Sequence, residues 1–258
     1  MTSGTFNMQT APGYQILAVA GKQTLRPGGR SATEQLLVWA DFQPGQTLLE
    51  LASSFGHSAI DLARRFGVRV VGVEKNPASV ERARANVRAA GLGHLVQIVE
   101  GDIFRLEAID ERFDYVLAEA ILTMQPPAAK ANILRAVANH LKPGGKFLSH
   151  EVAVGGREEE IHRELSRVIR VNAAPLSERG WIAESARADL RVSHHLTGPM
   201  ALLTPAQVLR DEGIAGTARI LWNVATRPAL RERVLAMRGV FSRYRADLAY
   251  IVLCAVAG

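Results

Sequence analysis

Short apolar runs alternate with helix-spaced apolar positions between about residues 46 and 154. Five of these runs have the length and the branched or aromatic content of buried strands: TLLELA, VRVVGVE, LVQIVEGD, FDYVLAEA and KFLSHEVAV. Between the first two runs, Ala59, Ile60 and Ala63 share one helical face, which ends before Gly67. Strands in regular alternation with helices predict a parallel sheet covered by helices.

The remainder of the chain is less regular. It predicts a helix over residues 158–172, a second helix around residues 181–188 and a sixth strand in DLRVSHHL. Thr204 and Gln207 have capping-box spacing, so a helical stretch should begin there and continue to about residue 244. The run LAYIVLCAVA predicts a closing strand.

A separate helix is expected before the first strand. Ser31 and Glu34 have the spacing of a capping box, and the helix that they open should end before QPGQ and pack over the ligand edge of the sheet. The whole pattern predicts an α/β fold, with a Rossmann-like, seven-stranded, mostly parallel sheet. Helices should cover both faces, with further helical additions at the N- and C-terminal ends.

Composition narrows the class of protein. The chain has 258 residues, of which 48% are apolar, so it can bury a sizeable core. Cys254 is the only cysteine, which excludes a disulfide framework and favours a buried thiol. The opening MTSGTFNMQT has no basic region, and the first apolar stretch is too short to span a membrane. We therefore expect a cytoplasmic protein without a membrane partner or a bound metal.

The formal charge of +6 raises the question of an anionic partner. After Lys146 the basic residues are arginines and histidines interleaved with acids, as in REEEIHRELSRVIR, which is typical of a solvated surface. Binding of nucleic acid is therefore not favoured. Arg26 and Arg30 in RPGGR either meet an anionic substrate or lie on a solvent-facing turn. The protein could also form a homodimer, which the sequence does not decide.

Candidate chemistry lies where the predicted strands end. LLELASSFG begins as a buried strand and continues as a turn, and Glu50, Glu74 and Asp102 follow or end three successive strands. Ligands of open α/β sheets bind at the carboxyl ends of the strands, so these side chains should converge there. A carboxylate in that position can accept hydrogen bonds from both hydroxyls of a vicinal diol.

In this order, over roughly residues 30–154, the motifs resemble those of the class I S-adenosylmethionine (SAM)-dependent methyltransferases. The family has glycines where this chain has Ala52, Ser54 and Gly56, so only the third glycine is retained. The resemblance implies that Glu74 binds the ribose and that Asp102 meets the adenine amino group. The implied cofactor set is Glu50, Ala52, Ser54, Gly56, Glu74, Lys75, Gly101, Asp102, Ile103 and Glu119, with S-adenosylhomocysteine as the product.

The resemblance also implies how the chain is divided. We expect one domain over residues 1–258, with residues 1–45 as an N-terminal cap and residues 46–154 as the cofactor-binding core. Residues 155–245 should supply the substrate-side helices and the sixth strand, and residues 246–258 the closing strand.

In such an enzyme the protein aligns a nucleophile with the sulfonium methyl group for in-line displacement. A base is needed only for a hydroxyl or carbon-acid acceptor, and the candidates are His150, Glu151, His194 and His195. The alternative for each is a packed or hydrogen-bonded strand residue. The segment AEAILTMQPP lacks the Asn/Asp-Pro-Pro-aromatic signature of enzymes that methylate exocyclic amines of bases.

The expected acceptor is a small or medium organic molecule. Two alternatives remain: a degenerate, non-catalytic SAM-binding protein, because the glycine turn is altered, and an RNA methyltransferase, because the pI is high. A nicotinamide-dependent reductase is disfavoured, because no tyrosine is followed four residues later by lysine.

Overall fold

The computed structural model describes residues 7–258, so the first six residues of the expected cap lie outside the described residues. Seven strands form one sheet in the order β3-β2-β1-β4-β5-β7-β6. Their bounds are Thr47–Leu51 (β1), Arg69–Glu74 (β2), Val96–Glu100 (β3), Phe113–Glu119 (β4), Leu141–Val154 (β5), Leu190–Pro199 (β6) and Leu248–Ala257 (β7). Strand β7 runs antiparallel to β5 and β6, and the other pairs are parallel, which confirms the predicted fold class.

Helices cover both faces of this sheet. Their bounds are Gly13–Ala20 (α1), Gly29–Ala40 (α2), His57–Phe66 (α3), Pro77–Ala89 (α4), Pro127–His140 (α5), Glu158–Ile169 (α6), Glu178–Arg187 (α7), Pro205–Thr226 (α8) and Pro228–Arg243 (α9). Apolar residues of α2, α3 and α4 pack on one face, and those of α5 and α7 on the other. A third apolar cluster joins α1, α6 and α9 beside Val154, at the carboxyl end of β5.

Of the two helix starts predicted from capping-box spacing, one is confirmed and the other is wrong. Thr204 accepts a hydrogen bond from the backbone N–H of Gln207 at 3.3 Å, as expected for the start of α8. Helix α2 begins at Gly29, and Ser31 lies inside it instead of capping it. Glu34 does not turn back to the helix start, because its carboxylate binds the Arg65 guanidinium at 2.6 and 2.7 Å.

The fifth strand, predicted to begin at Lys146, begins earlier in the structure. Leu141 already pairs with Phe113, so β5 begins there instead of at Lys146. The register then shifts, and Lys146 pairs with Tyr115. The KPGG segment is therefore an irregularity within the strand, in which Gly144 has a φ of 73° that glycine adopts without strain.

The fold positions a polar edge. The carboxyl ends of β1, β2, β4 and β5 lie next to each other in the sheet, and α2 packs against β5 and β7. Glu119 at the end of β4 and His150, its partner on β5, contact α2 and the N-terminal segment that leads into it. Across residues 7–258, no helix combines the length and apolar character needed to cross a membrane.

Candidate active site at the strand ends

The turn after β1 keeps the backbone geometry of a glycine turn without most of its glycines. Ala52, Ser54 and Gly56 have φ values of 54°, 49° and 74°, all in the left-handed region. The Gly56 N–H donates to the carbonyl of Ser53 at 2.8 Å, and α3 begins at the next residue. The turn thus has the same alternation of left-handed positions that three glycines would allow, and alanine and serine hold it at a cost in backbone energy.

This cost can be measured by restoring glycine. We expect Ala52→Gly to raise the free energy of unfolding by about 1 kcal/mol, because a left-handed alanine costs about 1 to 2 kcal/mol and the added freedom of the unfolded chain offsets part of it. Ser54→Gly should act in the same direction. Urea unfolding measures both variants. The control Ala63→Gly, inside α3, should lower stability, and equal behaviour at positions 52 and 63 would contradict the prediction.

Glu50 is enclosed at the end of β1. Its Oε2 accepts a hydrogen bond from the hydroxyl of Ser53. Burial raises the pKa of Glu50 to about 7, and the nearby carboxylate of Glu119 adds to the shift, while Arg26 opposes it. A cation placed beside Glu50 would favour its charged form.

Glu74, at the end of β2, stabilises the turn after β1, and its carboxylate oxygens can accept further hydrogen bonds. Its Oε2 accepts from the Ser54 N–H at 2.9 Å, and its Oε1 accepts from the Asn76 N–H at 2.8 Å. Each carboxylate oxygen has a second acceptor site, and the residue is only half-buried. The side chain can therefore accept hydrogen bonds from a neighbouring diol.

The expected adenine side of the site lies next to Glu74. The Gly101 N–H donates to the carbonyl of Glu74 at 3.0 Å, which brings the β3 end against the β2 end. Asp102 Oδ2 pairs with Lys75 Nζ at 2.7 Å, and Oδ1 accepts from the Phe104 N–H at 3.1 Å. These contacts bring Glu74, Lys75 and Asp102 together at one edge of the sheet. The side chain of Ile103, next to Asp102, is buried in the core.

Glu119, at the end of β4, is the centre of a polar cluster that includes residues the sequence did not indicate. Its Oε2 pairs with Arg26 Nη2 at 2.8 Å and lies 3.4 Å from the hydroxyl of Ser58. Its Oε1 accepts from the Thr33 hydroxyl at 3.1 Å. Thr33 and Ser58 come from α2 and α3, far from Glu119 in the chain, and no local pattern marks either of them.

His150 completes this cluster as a buried, neutral ring. Its Nε2 accepts a hydrogen bond from the Gly28 N–H at 3.0 Å, and its Nδ1 lies 3.1 Å from the Thr33 hydroxyl. Burial, with a contribution from Arg26, lowers the pKa of His150 to about 3. Because Nε2 accepts, the neutral ring carries its proton on Nδ1 and donates to Thr33, whose hydroxyl can then donate to Glu119.

Glu151 points to the other face of the sheet, where it accepts hydrogen bonds from the turn after β4. Its Oε1 accepts from the N–H groups of Ile121 and Leu122 at 3.2 and 2.9 Å. Its Oε2 accepts from the N–H and the hydroxyl of Thr123 at 2.8 and 2.6 Å. Burial raises the pKa of Glu151 to about 7. These contacts make Glu151 an anchor for the turn after β4.

The two histidines of β6 lie away from the strand ends. His194 stacks on Trp39 at a ring distance of 5.5 Å, and His195 Nε2 contacts Glu178 Oε1 at 2.9 Å. Both lie in the middle of β6, which is at the edge of the sheet, and both are exposed. The structure does not bring them to the cluster around Glu119.

Comparison with known proteins indicates the class of this protein. A family model described as a methyltransferase domain matches residues 48–145, which run from β1 into β5. An uncharacterized protein of Haemophilus influenzae is 35% identical over 94% of this chain and 96% of its own length.

Named relatives share the core. Methyltransferase GfsG of Streptomyces halstedii is 29% identical over 53% of this chain, and the match spans 49% of that protein. A SAM-dependent methyltransferase from Thiobacillus denitrificans, solved with S-adenosylhomocysteine, covers 95% of this chain and 98% of its own, with a TM-score of 0.67 and 17% identity. This chain belongs to the class I SAM-dependent methyltransferases. Its cofactor is SAM.

The chemistry of the strand edge suits this cofactor. SAM has a cationic sulfonium and an α-ammonium group, and the edge places two carboxylates, Glu50 and Glu119, near each other beside Arg26. Glu74 retains acceptor sites for ribose hydroxyls. The left-handed turn from Ala52 to Gly56 lets the backbone approach a ligand closely. When bound, the cofactor supplies the methyl group as an electrophile.

Proposed function

We propose that this protein transfers the methyl group of SAM to a small or medium organic acceptor by in-line displacement. The observation that carries this proposal is the segment of residues 22–28, here called the strap, which lies across the strand ends. Arg26 of the strap pairs with Glu119, and the Gly28 N–H donates to His150. An enclosed edge suits an acceptor that fits beneath the strap.

The strap is fixed at its other end by buried charges. Lys22 Nζ lies 3.6 Å from Asp211 Oδ2 and 3.4 Å from Glu212 Oε1, and all three side chains are buried. The carboxylate of Glu212 also accepts from the backbone N–H groups of Gln23 and Thr24. Breaking a buried, paired charge is costly, so the strap is held against α8. This supports a small acceptor, because a polynucleotide needs an open, basic approach.

We assign the cofactor contacts by the chemistry of each group. Glu74 would accept from the ribose hydroxyls, and Asp102 would meet the adenine amino group with Ile103 near the ring. Gly101 and Lys75 flank this side. Glu50 and Glu119 would lie beside the cationic methionine moiety, at the turn formed by Ala52, Ser54 and Gly56. Carboxylates in a partly enclosed site favour a cation because little water competes for them.

His150 and Glu151 have positioning roles in this proposal. His150 has protein partners on both ring nitrogens, and it directs the Thr33 hydroxyl toward Glu119. Glu151 fixes the turn after β4, next to Glu119. An acceptor with an available lone pair needs no base for the transfer and can lose its proton to water afterwards.

The test is methyl transfer from SAM with a labelled methyl group into a fractionated cell lysate. Label in the small-molecule fraction supports the proposal. Label confined to RNA, with RNA binding that falls steeply as salt rises, would favour the RNA alternative. Binding of S-adenosylhomocysteine without transfer to any fraction would favour the non-catalytic alternative. The Glu74→Ala variant, which should bind the cofactor more weakly, serves as the control: label that decreases with this variant depends on the enzyme, and label that does not is background.

A further inference from the structure

The second half of α8 presents apolar side chains to solvent. The helix is kinked at Gly213, which has a φ of 68°, and its second half follows from Ile214. Ile214, Leu221 and Trp222 are 83%, 64% and 71% exposed. With the exposed Ala218 and Ala225 they form the apolar face of α8, since positions four, seven, eight and eleven residues apart share one side of a helix.

This face is not the side by which α8 packs on the protein. Gly216 is buried, and Val224 packs with the cluster formed by α1, α6 and α9. Asn223 donates from its side chain to the carbonyl of Ala20 at the end of α1. The inner side therefore already supplies tertiary packing. Single exposed apolar residues are ordinary, but three large ones on one helix face indicate a contact surface.

The exposed charged residues of α8 have one sign. From residue 205 to residue 231 the exposed charged residues are Arg210, Arg219, Arg227 and Arg231. The two acids of α8, Asp211 and Glu212, point inward to Lys22. The next exposed acid is Glu232, on α9. The second half of α8 thus carries large apolar side chains and one exposed cation, Arg219, and two further exposed arginines, Arg227 and Arg231, follow just beyond its C-terminal end.

We propose that the apolar face of α8 docks on the surface of an anionic lipid membrane. Tryptophan, leucine and isoleucine beside arginines are the combination that enters the interfacial region of a bilayer while the arginines meet phosphate groups. The helix would lie on the membrane, since no described helix can cross one. This changes the expectation that the protein has no membrane partner.

Charge selects this occupant over two others. A second copy docked on the same face would bring its own arginines against these arginines, which is unfavourable. A nucleic acid would satisfy the arginines but would leave Ile214 and Leu221 without an apolar partner. An anionic bilayer satisfies both components.

The docking surface adjoins the strap. The first half of α8 carries Asp211 and Glu212, which hold Lys22 and the backbone of Gln23 and Thr24. Docking would therefore bring the strap side of the protein close to the bilayer. The proposal rests on α8 and on the arginines just beyond its C-terminal end, and it does not depend on the identity of the methyl acceptor.

Flotation with lipid vesicles tests it. The full chain should float with vesicles of equimolar phosphatidylcholine and phosphatidylglycerol, and much less with phosphatidylcholine alone. Trp222→Gln should reduce partitioning about tenfold by removing a large apolar contact, and Arg219→Gln about fivefold by removing one cation. The control Val38→Gln, at a position 70% exposed on α2, should float like the unchanged protein.

Three results would overturn the proposal. The first is absence of binding to the anionic vesicles at low salt. The second is equal loss for Trp222→Gln and Val38→Gln. The third is a dimer in solution that Trp222→Gln dissociates, which would assign this face to a second copy. Circular dichroism of each variant shows that it is folded, and methyl transfer or cofactor binding in solution should be unchanged by the α8 substitutions.

Discussion

Replacing Glu74 by alanine is expected to weaken the binding of S-adenosylhomocysteine by about 1.5 to 3 kcal/mol, which is the range for hydrogen bonds to a charged acceptor. The carboxylate of Glu74 holds the Ser54 and Asn76 N–H groups, and it has acceptor sites left for the ribose hydroxyls. The alanine variant loses both the direct contacts and part of the support for the turn. Isothermal titration calorimetry measures the change.

Glu100 provides a matched control for this experiment. It pairs with Glu74 across β2 and β3, is also acidic, and is exposed at the end of its strand. Glu100→Ala should bind S-adenosylhomocysteine as the unchanged protein does. Unchanged affinity in a folded Glu74→Ala variant would remove Glu74 from the cofactor site.

Glu50→Gln is expected to raise the free energy of unfolding at pH 8 by about 1 to 3 kcal/mol and to have little effect at pH 5. Burial raises the pKa of Glu50 to about 7 from its ordinary 4.5, so between these values the folded protein holds a proton that the unfolded chain releases. Stability from this group is therefore present at pH 5 and is lost as pH rises toward 7 and above. A difference of one pKa unit corresponds to about 1.4 kcal/mol.

The substitution tests this direction of the pH dependence, because glutamine keeps an acceptor for the Ser53 hydroxyl and removes the charge beside Glu119. Urea unfolding at a series of pH values gives the difference between variant and parent. This difference excludes contributions shared by both, such as the raised pKa of Glu151 and the lowered pKa of His150. A constant difference across the series would contradict the prediction.

Glu151→Gln should behave differently although its pKa is raised to a similar value. Both oxygens of Glu151 accept from donors, including the N–H groups of Leu122 and Thr123. The amide nitrogen of glutamine would face one of these donors, so Glu151→Gln should be less stable, relative to the parent, than Glu50→Gln at every pH in the series. A lower stability of Glu151→Gln than of Glu50→Gln throughout the series would show that the hydrogen-bond partners, and not the raised pKa alone, decide the outcome of the same chemical change.

The sequence by itself determined the elements and the polar positions at their ends. Strand and helix periods are local, so the seven strands and their alternation with helices followed from runs of a few residues. Glu50 and Glu74 could be placed because each ends an apolar run, and such ends lie on one edge of a parallel sheet. The turn from Ala52 to Gly56 kept its left-handed geometry because its ends are fixed by β1 and α3.

Only the tertiary structure decided which side chains meet at that edge. Thr33 and Glu119 are 86 residues apart, Gly28 and His150 are 122 residues apart, and Lys22 and Glu212 are 190 residues apart. No local period encodes such contacts. The two faces of β5 likewise separate His150, which joins the cluster, from Glu151, which holds a turn on the opposite side. These two adjacent residues have different neighbours because side chains alternate between the two faces of a strand. Which groups cover each face depends on how helices from distant parts of the chain pack on the sheet.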